Sequence, residues 1–234
     1  MKNQNELGQP IGTSTLGWQI AGLPTGSKII GEHCNITPLN IDQHSESLYQ
    51  SFSKDPKTEN WTYLPYGPFD SLQEFKSWLT SIANKSDPYF CTIVDKSSNS
   101  AIGLASYLRI NPNQGVIEVG HIHFSPLLQR TALATEAMFL MMRHVFEELG
   151  YRRYEWKCDS LNEKSRKAAK RLGFTFEGIF RQALMYKNRN RDTAWYSVID
   201  SEWPKLKRNF QEWLAPSNFD AKGNQKISLG QVGK

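Results

Sequence analysis

Long apolar runs are missing from this chain of 234 residues. No stretch approaches the roughly 18 apolar residues that a membrane-crossing helix needs, so no membrane association is expected. The opening residues Met1-Lys2-Asn3-Gln4-Asn5 carry no apolar signal core, which argues against secretion. Cysteine is scarce: Cys34, Cys91 and Cys158 are odd in number, far apart and without metal-ligand pairing. They read as reduced cytosolic thiols, so the expectations are a cytoplasmic protein, no disulfide framework and no metal. Internal repeats are absent too. Charge of one sign is only mildly in excess, at +5. The basic residues form no single stripe; Arg152-Arg153, Lys164 to Arg171 and Lys187 to Arg191 gather in three places instead. With no RNA-binding motif present, direct nucleic-acid binding is not expected.

What is present suits a globular core: 39% hydrophobic residues and 12% aromatics. The chain divides into an irregular arm over residues 1–31, a domain over 32–203, and an amphipathic stretch with a polar tail over 204–234. The stretch that organises the domain is 116–150. Val116 to Phe124 alternates as a strand, Leu128 to Ala134 forms a polar elbow, and a helix follows. Its apolar stripe is Ala134, Ala137, Met138, Met141, Val145 and Leu149, and Gly150 supplies the stop. Backbone N–H groups at the first turn of such a helix lack partners, and small residues at Ala132 and Ala134 let an anion approach them. Arg130 would add a full charge.

Before this core, a strand is expected over His33–Leu39. Asp42 is expected to cap a helix that buries Leu48, Tyr49 and Phe52. Two prolines, a glycine and four aromatics over Asn60–Phe69 predict a loop, either packed over the core or walling a substrate through Trp61, Tyr63 and Tyr66. A helix on Leu72, Phe75, Trp78, Leu79 and Ile82 and two antiparallel strands over 89–94 and 101–108 come next. Beyond Gly150, Tyr154, Trp156 and Cys158 alternate with Arg153, Glu155, Lys157 and Asp159 as a half-buried strand. A short helix runs over Glu163–Leu172, capped by Ser160 or Asn162. Strands over 174–181 and 193–199 close the domain around a basic turn, Lys187 to Asp192. The fold class is therefore α+β, a mixed and mostly antiparallel sheet with a βαβ crossover and flanking helices.

Gln129-Arg130-Thr131-Ala132-Leu133-Ala134 resembles the Gln/Arg-x-x-Gly-x-Gly/Ala acyl-CoA signature of the GNAT N-acyltransferase superfamily, with alanine at 132 where the family usually has glycine. Asn162-Glu163-Lys164-Ser165, Gly173-Phe174 and Glu177-Gly178 resemble the matching block of its ribosomal-protein serine/alanine N-acetyltransferase branch, as do Phe180-Arg181 and Arg189 to Asp192. The resemblance implies direct transfer of an acetyl or other short acyl group from acyl-CoA to a primary amine. The acceptor would be a protein N-terminus or a small molecule such as a polyamine, amino acid or antibiotic, and the protein a monomer or homodimer. The implied cofactor site comprises Phe124, Gln129 to Ala134, Asn162, Ser165 and Lys170, with splayed edges at 118–124 and 154–158 taking the pantetheine amides. Trp61, Tyr63, Tyr66 and Arg181 would face the acceptor. Many members place a tyrosine four residues before the Gly-Phe pair; here that position is Ala169, which makes Ser165 the candidate for protonating the leaving sulfur. Glu118, His121 and His123 compete as the base, the two histidines on one face of a regular strand and Glu118 on the other unless a bulge changes the alternation. Cys158 reads as packing. A CoA-binding protein without turnover, motivated by Ala132 and Ala169, and a basic ribosome- or RNA-associated module are the alternatives.

Overall fold

A computed structural model describes residues 3–26 and 28–233. Met1, Lys2, Ser27 and Lys234, parts of the expected arm and tail, lie outside the described residues. An eight-stranded sheet of order β1-β2-β3-β4-β5-β6-β8-β7 organises the rest. Its strands are β1 (Ile29–Ile30), β2 (Cys34–Pro38), β3 (Tyr89–Asp95), β4 (Ser100–Asn111), β5 (Val116–Phe124), β6 (Arg153–Asp159), β7 (Thr175–Tyr186) and β8 (Arg189–Ile199). Among the described residues only β5 and β6 pair in parallel, as the long crossover between them requires. The mixed, mostly antiparallel class expected from the sequence is the one found.

Two cores sit on opposite faces. On one, α1 (Ile41–Phe52) and α2 (Leu72–Ala83) bury Leu48, Phe52, Phe75, Leu79 and Ile82 against Phe90, Val94, Ala101 and Leu104. On the other, α3 (Ala132–Arg143), α4 (Glu163–Arg171) and α5 (Trp203–Leu214) cover Ile117, Val119, Tyr154, Trp156 and Tyr196. Each large side chain buried this way contributes about 1.5–3 kcal/mol, so the second face is the main source of stability.

Several local expectations change. Asn40, not Asp42, caps α1, accepting from the Gln43 amide at 3.0 Å, and Tyr49 is only half-buried. The helix after the elbow starts two residues earlier than its stripe suggests, because Thr131 is its cap. It loosens into a π-turn over His144–Glu148 before Gly150, whose φ of +75° only glycine adopts freely. The β7–β8 turn is confined to Lys187-Asn188, both left-handed, the geometry a two-residue hairpin needs. Arg189 to Asp192 are therefore strand residues rather than turn.

Strand β6 is not half-buried. Its charged face is buried as well: Glu155 and Asp159 are inaccessible, and the Lys157 side chain is 6% exposed. Charges survive there because they are paired. Lys157 Nζ lies 3.0 Å from Glu118 and 2.7 Å from Glu155, and Arg153 bridges Glu155 and Glu177.

The arm is tied down by Glu136 of α3, whose carboxylate accepts from the amides of Glu32, His33 and Cys34 at 2.7–2.8 Å. The polar tail folds back, burying Leu229 and Val232 in the core beside α5. Among the described residues, no helix is long and apolar enough to cross a membrane.

Candidate active site

The β5–β6 pairing runs from Val116–Arg153 to Val119–Trp156 and stops there. The sheet therefore opens at Gly120 and Lys157, later than the 118 and 154 expected, and leaves a wedge between the two strands. Two helix N-termini lie downstream of its edges. At the first, after β5, Arg130 takes φ +62° and Thr131 caps α3. The Thr131 hydroxyl accepts from Ala134 N at 3.1 Å and donates to Leu128 O at 2.7 Å. Among the described residues the amides of Arg130, Thr131, Ala132 and Leu133 have no acceptor. Four free N–H groups at a positive helix end, beside small half-buried side chains at Ala132 and Ala134, make an anion cradle.

Gln129 is turned elsewhere. Its side-chain nitrogen donates to Asn60 Oδ1 at 2.9 Å and to Phe124 O at 2.7 Å, so it ties the aromatic loop to the end of β5. The second N-terminus is that of α4, and Asn162 settles the capping choice left open by the sequence, its Oδ1 accepting from Ser165 N at 3.0 Å. The Ser165 hydroxyl accepts from Trp156 Nε1 at 3.0 Å. Burial pushes the Cys158 thiol up, with the Ser165 hydroxyl pulling the other way, which leaves a protonated, inert thiol. Ala169 is fully buried, so no side chain there reaches the wedge. Lys170 is exposed two turns along α4. Arg171, which the sequence reading passed over, spans from α4 to Thr135 in the early part of α3 at 3.0 Å; its place beside Lys170 was the available signal.

The three candidate bases share one face, contrary to regular alternation. The register moves from Ser106–Gly120 to Leu104–His123, one extra residue on β5, and His121 at φ +50° absorbs it. The bulge puts Glu118, His121 and His123 on the α1–α2 side together. Their environments then separate them. Glu118 is bonded by Arg109 at 2.6 Å and Lys157 at 3.0 Å; burial pushes its carboxyl up while Lys157 and Arg109 pull it back. His123 is stacked on Trp61 at 3.8 Å and edged by Phe52 at 4.1 Å, and among the described residues neither nitrogen has a partner. Burial pulls it down to about 3. His121 is half-buried, and its Nδ1 lies 2.9 Å from Tyr66 Oη. Burial, with help from Arg109 and Arg191, holds it at about 4, so it is neutral near pH 7.

Around these groups Trp61 is buried packing, Tyr66 pairs with His121, and Tyr63 Oη donates to Leu161 O at 3.2 Å. Lys187 Nζ reaches Trp61 O at 2.9 Å, so the hairpin turn and the aromatic loop meet. Arg181 is exposed in a groove of about 550 Å³ with Gln182, Asn190 and Asp192, on the side of the hairpin away from His121. Among the described residues no group of three His, Cys, Asp or Glu side chains could hold a metal.

A wedge between parallel strands, with free amides at its rim, is the opening that this mixed sheet offers a ligand. Residues 34–175 match the acetyltransferase (GNAT) domain, and the chain belongs to that family. A GCN5-related N-acetyltransferase from Brucella melitensis superposes with a TM-score of 0.89 at 45% identity, covering 92% of this chain and 97% of that one. The ribosomal-protein-serine acetyltransferase of Escherichia coli is 29% identical over 69% of this chain and 90% of its own. The uncharacterized N-acetyltransferase YnaD of Bacillus subtilis is 28% identical over 60% of this chain and 81% of its own. The activity is N-acetyl transfer with acetyl-CoA. The free amides at 130–133 and the small residues beside them fit its pyrophosphate.

Proposed function

We propose that the protein acetylates an α-amino group, such as a protein N-terminus, by direct attack, with His121 as base and Ser165 at the leaving sulfur. The acceptor class draws support from the name of the Escherichia coli relative. The roles rest on one observation: the bulge turns a neutral, partly accessible imidazole to the face that carries Glu118, while the other candidates are neutralised or sealed.

The thioester supplies an acyl carbon that the amine nitrogen attacks, forming the amide and releasing the thiolate. Amides 130–133 hold the phosphates, and the unpaired edge of β5 beyond Val119 orients the arm. With Nδ1–H donated to Tyr66 Oη, His121 Nε2 is left to take the proton from nitrogen. Burial pushes the Tyr66 hydroxyl well up, so it stays a hydrogen-bonding neutral partner. A nitrogen already forming its new bond is acidic enough for a base this weak. Ser165, accepting from Trp156, gives its hydroxyl proton to the departing sulfur, and solvent restores it.

Thiol release from acetyl-CoA, measured over N-terminal peptides, free amino acids, polyamines and aminoglycosides, tests the reading. Turnover fastest with α-amines supports it; turnover confined to polyamines or aminoglycosides refutes the acceptor class. The buried alanine at 169 favours a second reading, CoA binding without turnover, which the same assay would reveal as no product with any amine.

A further inference from the structure

On β8, Arg191, Thr193 and Trp195 point to the same face as Glu118 and His121, because their neighbours Ala194 and Tyr196 face α3 and α4. Each carries a buried polar atom that has no partner among the described residues: Arg191 Nε, Thr193 Oγ1 and Trp195 Nε1. Three orphaned groups in a row on one strand face are unusual, since buried donors are nearly always satisfied. The remaining cations on this face are engaged. Arg109 and Lys157 hold Glu118, Arg153 holds Glu155 and Glu177, and Lys157 also caps the Trp195 ring at 3.7 Å. Among the described residues Arg191 has no ion pair. Asp159, the carboxylate at the end of β6, is taken by Tyr186 Oη and the Leu161 amide. Arg191 lies two residues along the same strand face from Thr193, which pairs with Asp159 just beyond the point where β5 and β6 part.

We infer that this row reads oxygen atoms of the acceptor, with Arg191 gripping a carboxylate carried close to the reacting amine. The inference rests on the transferase reading above and narrows its acceptor. A guanidinium whose Nε–H is withdrawn from water and left open is a fork shaped for a carboxylate. Thr193 and Trp195 extend it with one hydroxyl and one N–H, suited to carbonyl oxygens along the same molecule. A polyamine or aminoglycoside would bring positive charge to Arg191 with no free carboxylate on this face to receive it.

The carboxylate has two sources, the α-carboxylate of a free amino acid or an acidic side chain near the start of a peptide. The test therefore compares each with its carboxamide: amino acid against amino-acid amide, and a short peptide with Asp or Glu at position two against Asn or Gln. For the unaltered protein, at least a tenfold preference in kcat/KM for one carboxylate member is expected, and the pair that shows it names the source. Arg191→Gln should abolish the preference by raising KM for the acid while the affinity for CoA stays within twofold. Arg191→Lys, which keeps charge but not the fork, should restore only part of it.

Equal turnover of acid and amide, or preferred turnover of a polyamine, overturns the inference while leaving the transferase intact. A readout independent of catalysis is the Trp195 indole N–H resonance, titrated with each acceptor in the CoA complex. It should shift with the acid and not with the amide, and an unmoved resonance overturns the inference even if no amine is turned over.

Discussion

His123→Phe separates packing from catalysis at the bulged strand. In the native protein the imidazole lies between Trp61 and Phe52 with both nitrogens unpartnered, and burial pulls it from 6.5 to about 3. The folded state therefore binds fewer protons than the unfolded chain between those two values. Stability is full above the unfolded pKa and falls as pH drops below it. At pH 5 nearly every unfolded imidazole is protonated and almost no folded one is, a difference of about 2 kcal/mol. His121 and His44 add losses of the same sign, but these are common to both proteins and cancel in the comparison. Phenylalanine fills the same aromatic cage without polar atoms, so it should cost less than about 1.5 kcal/mol at pH 7.5 and could stabilise by relieving the orphaned nitrogens. Urea unfolding at pH 7.5 and 5.0 reads the effect. The pH-dependent loss should shrink by about 2 kcal/mol in the variant, and acetyl transfer should persist. An unchanged loss would mean the imidazole is protonated or hydrogen-bonded in the native state. A dead but stable variant would return His123 to the catalytic candidates.

Other consequences are simpler to state. Glu136→Gln leaves three amides sharing one weaker acceptor and should lower stability by about 3 kcal/mol, with faster hydrogen exchange at residues 32–34. Ser165→Ala should reduce kcat on the order of 10²-fold with little change in KM for acetyl-CoA, whereas Cys158→Ala should leave kcat nearly unchanged. With His121 neutral down to about pH 4, kcat/KM should rise with pH along the ionisation of the acceptor amine, near 8 for an α-amine. A second fall from His121 should come only below about pH 5. A limb near pH 6.5 would show instead that His121 titrates normally.

Periodicity exposed the β5–elbow–α3 unit because an apolar stripe, a glycine stop and an alternating strand are all local signals. The antiparallel meander likewise followed from short-range patterns. What stayed hidden arises where distant segments meet. The extra residue on β5 shows only in its register against β4, so nothing local revealed that His121 turns to the side of Glu118. Strand β6 looked half-exposed because charge normally marks solvent, and Glu118 from β5, together with the pairs that Glu155 makes to Lys157 and Arg153, lets Glu155 and Lys157 be buried. Gln129 carries the expected residue type yet spends its amide on Asn60, a contact across 69 positions. Of the row on β8, Thr193 and Trp195 fall in the expected strand, but Arg191 fell in the expected turn because basic composition outweighed the two left-handed residues that make the real turn.

Backbone amide spectra of the protein titrated with coenzyme A test the central claim most directly. The N–H resonances of residues 130–133 should move farthest, together with those lining the wedge beyond Val119 and Trp156, as free donors acquire phosphate and pantetheine acceptors. Saturable binding that leaves 130–133 unmoved, or no binding by the folded protein, would contradict it.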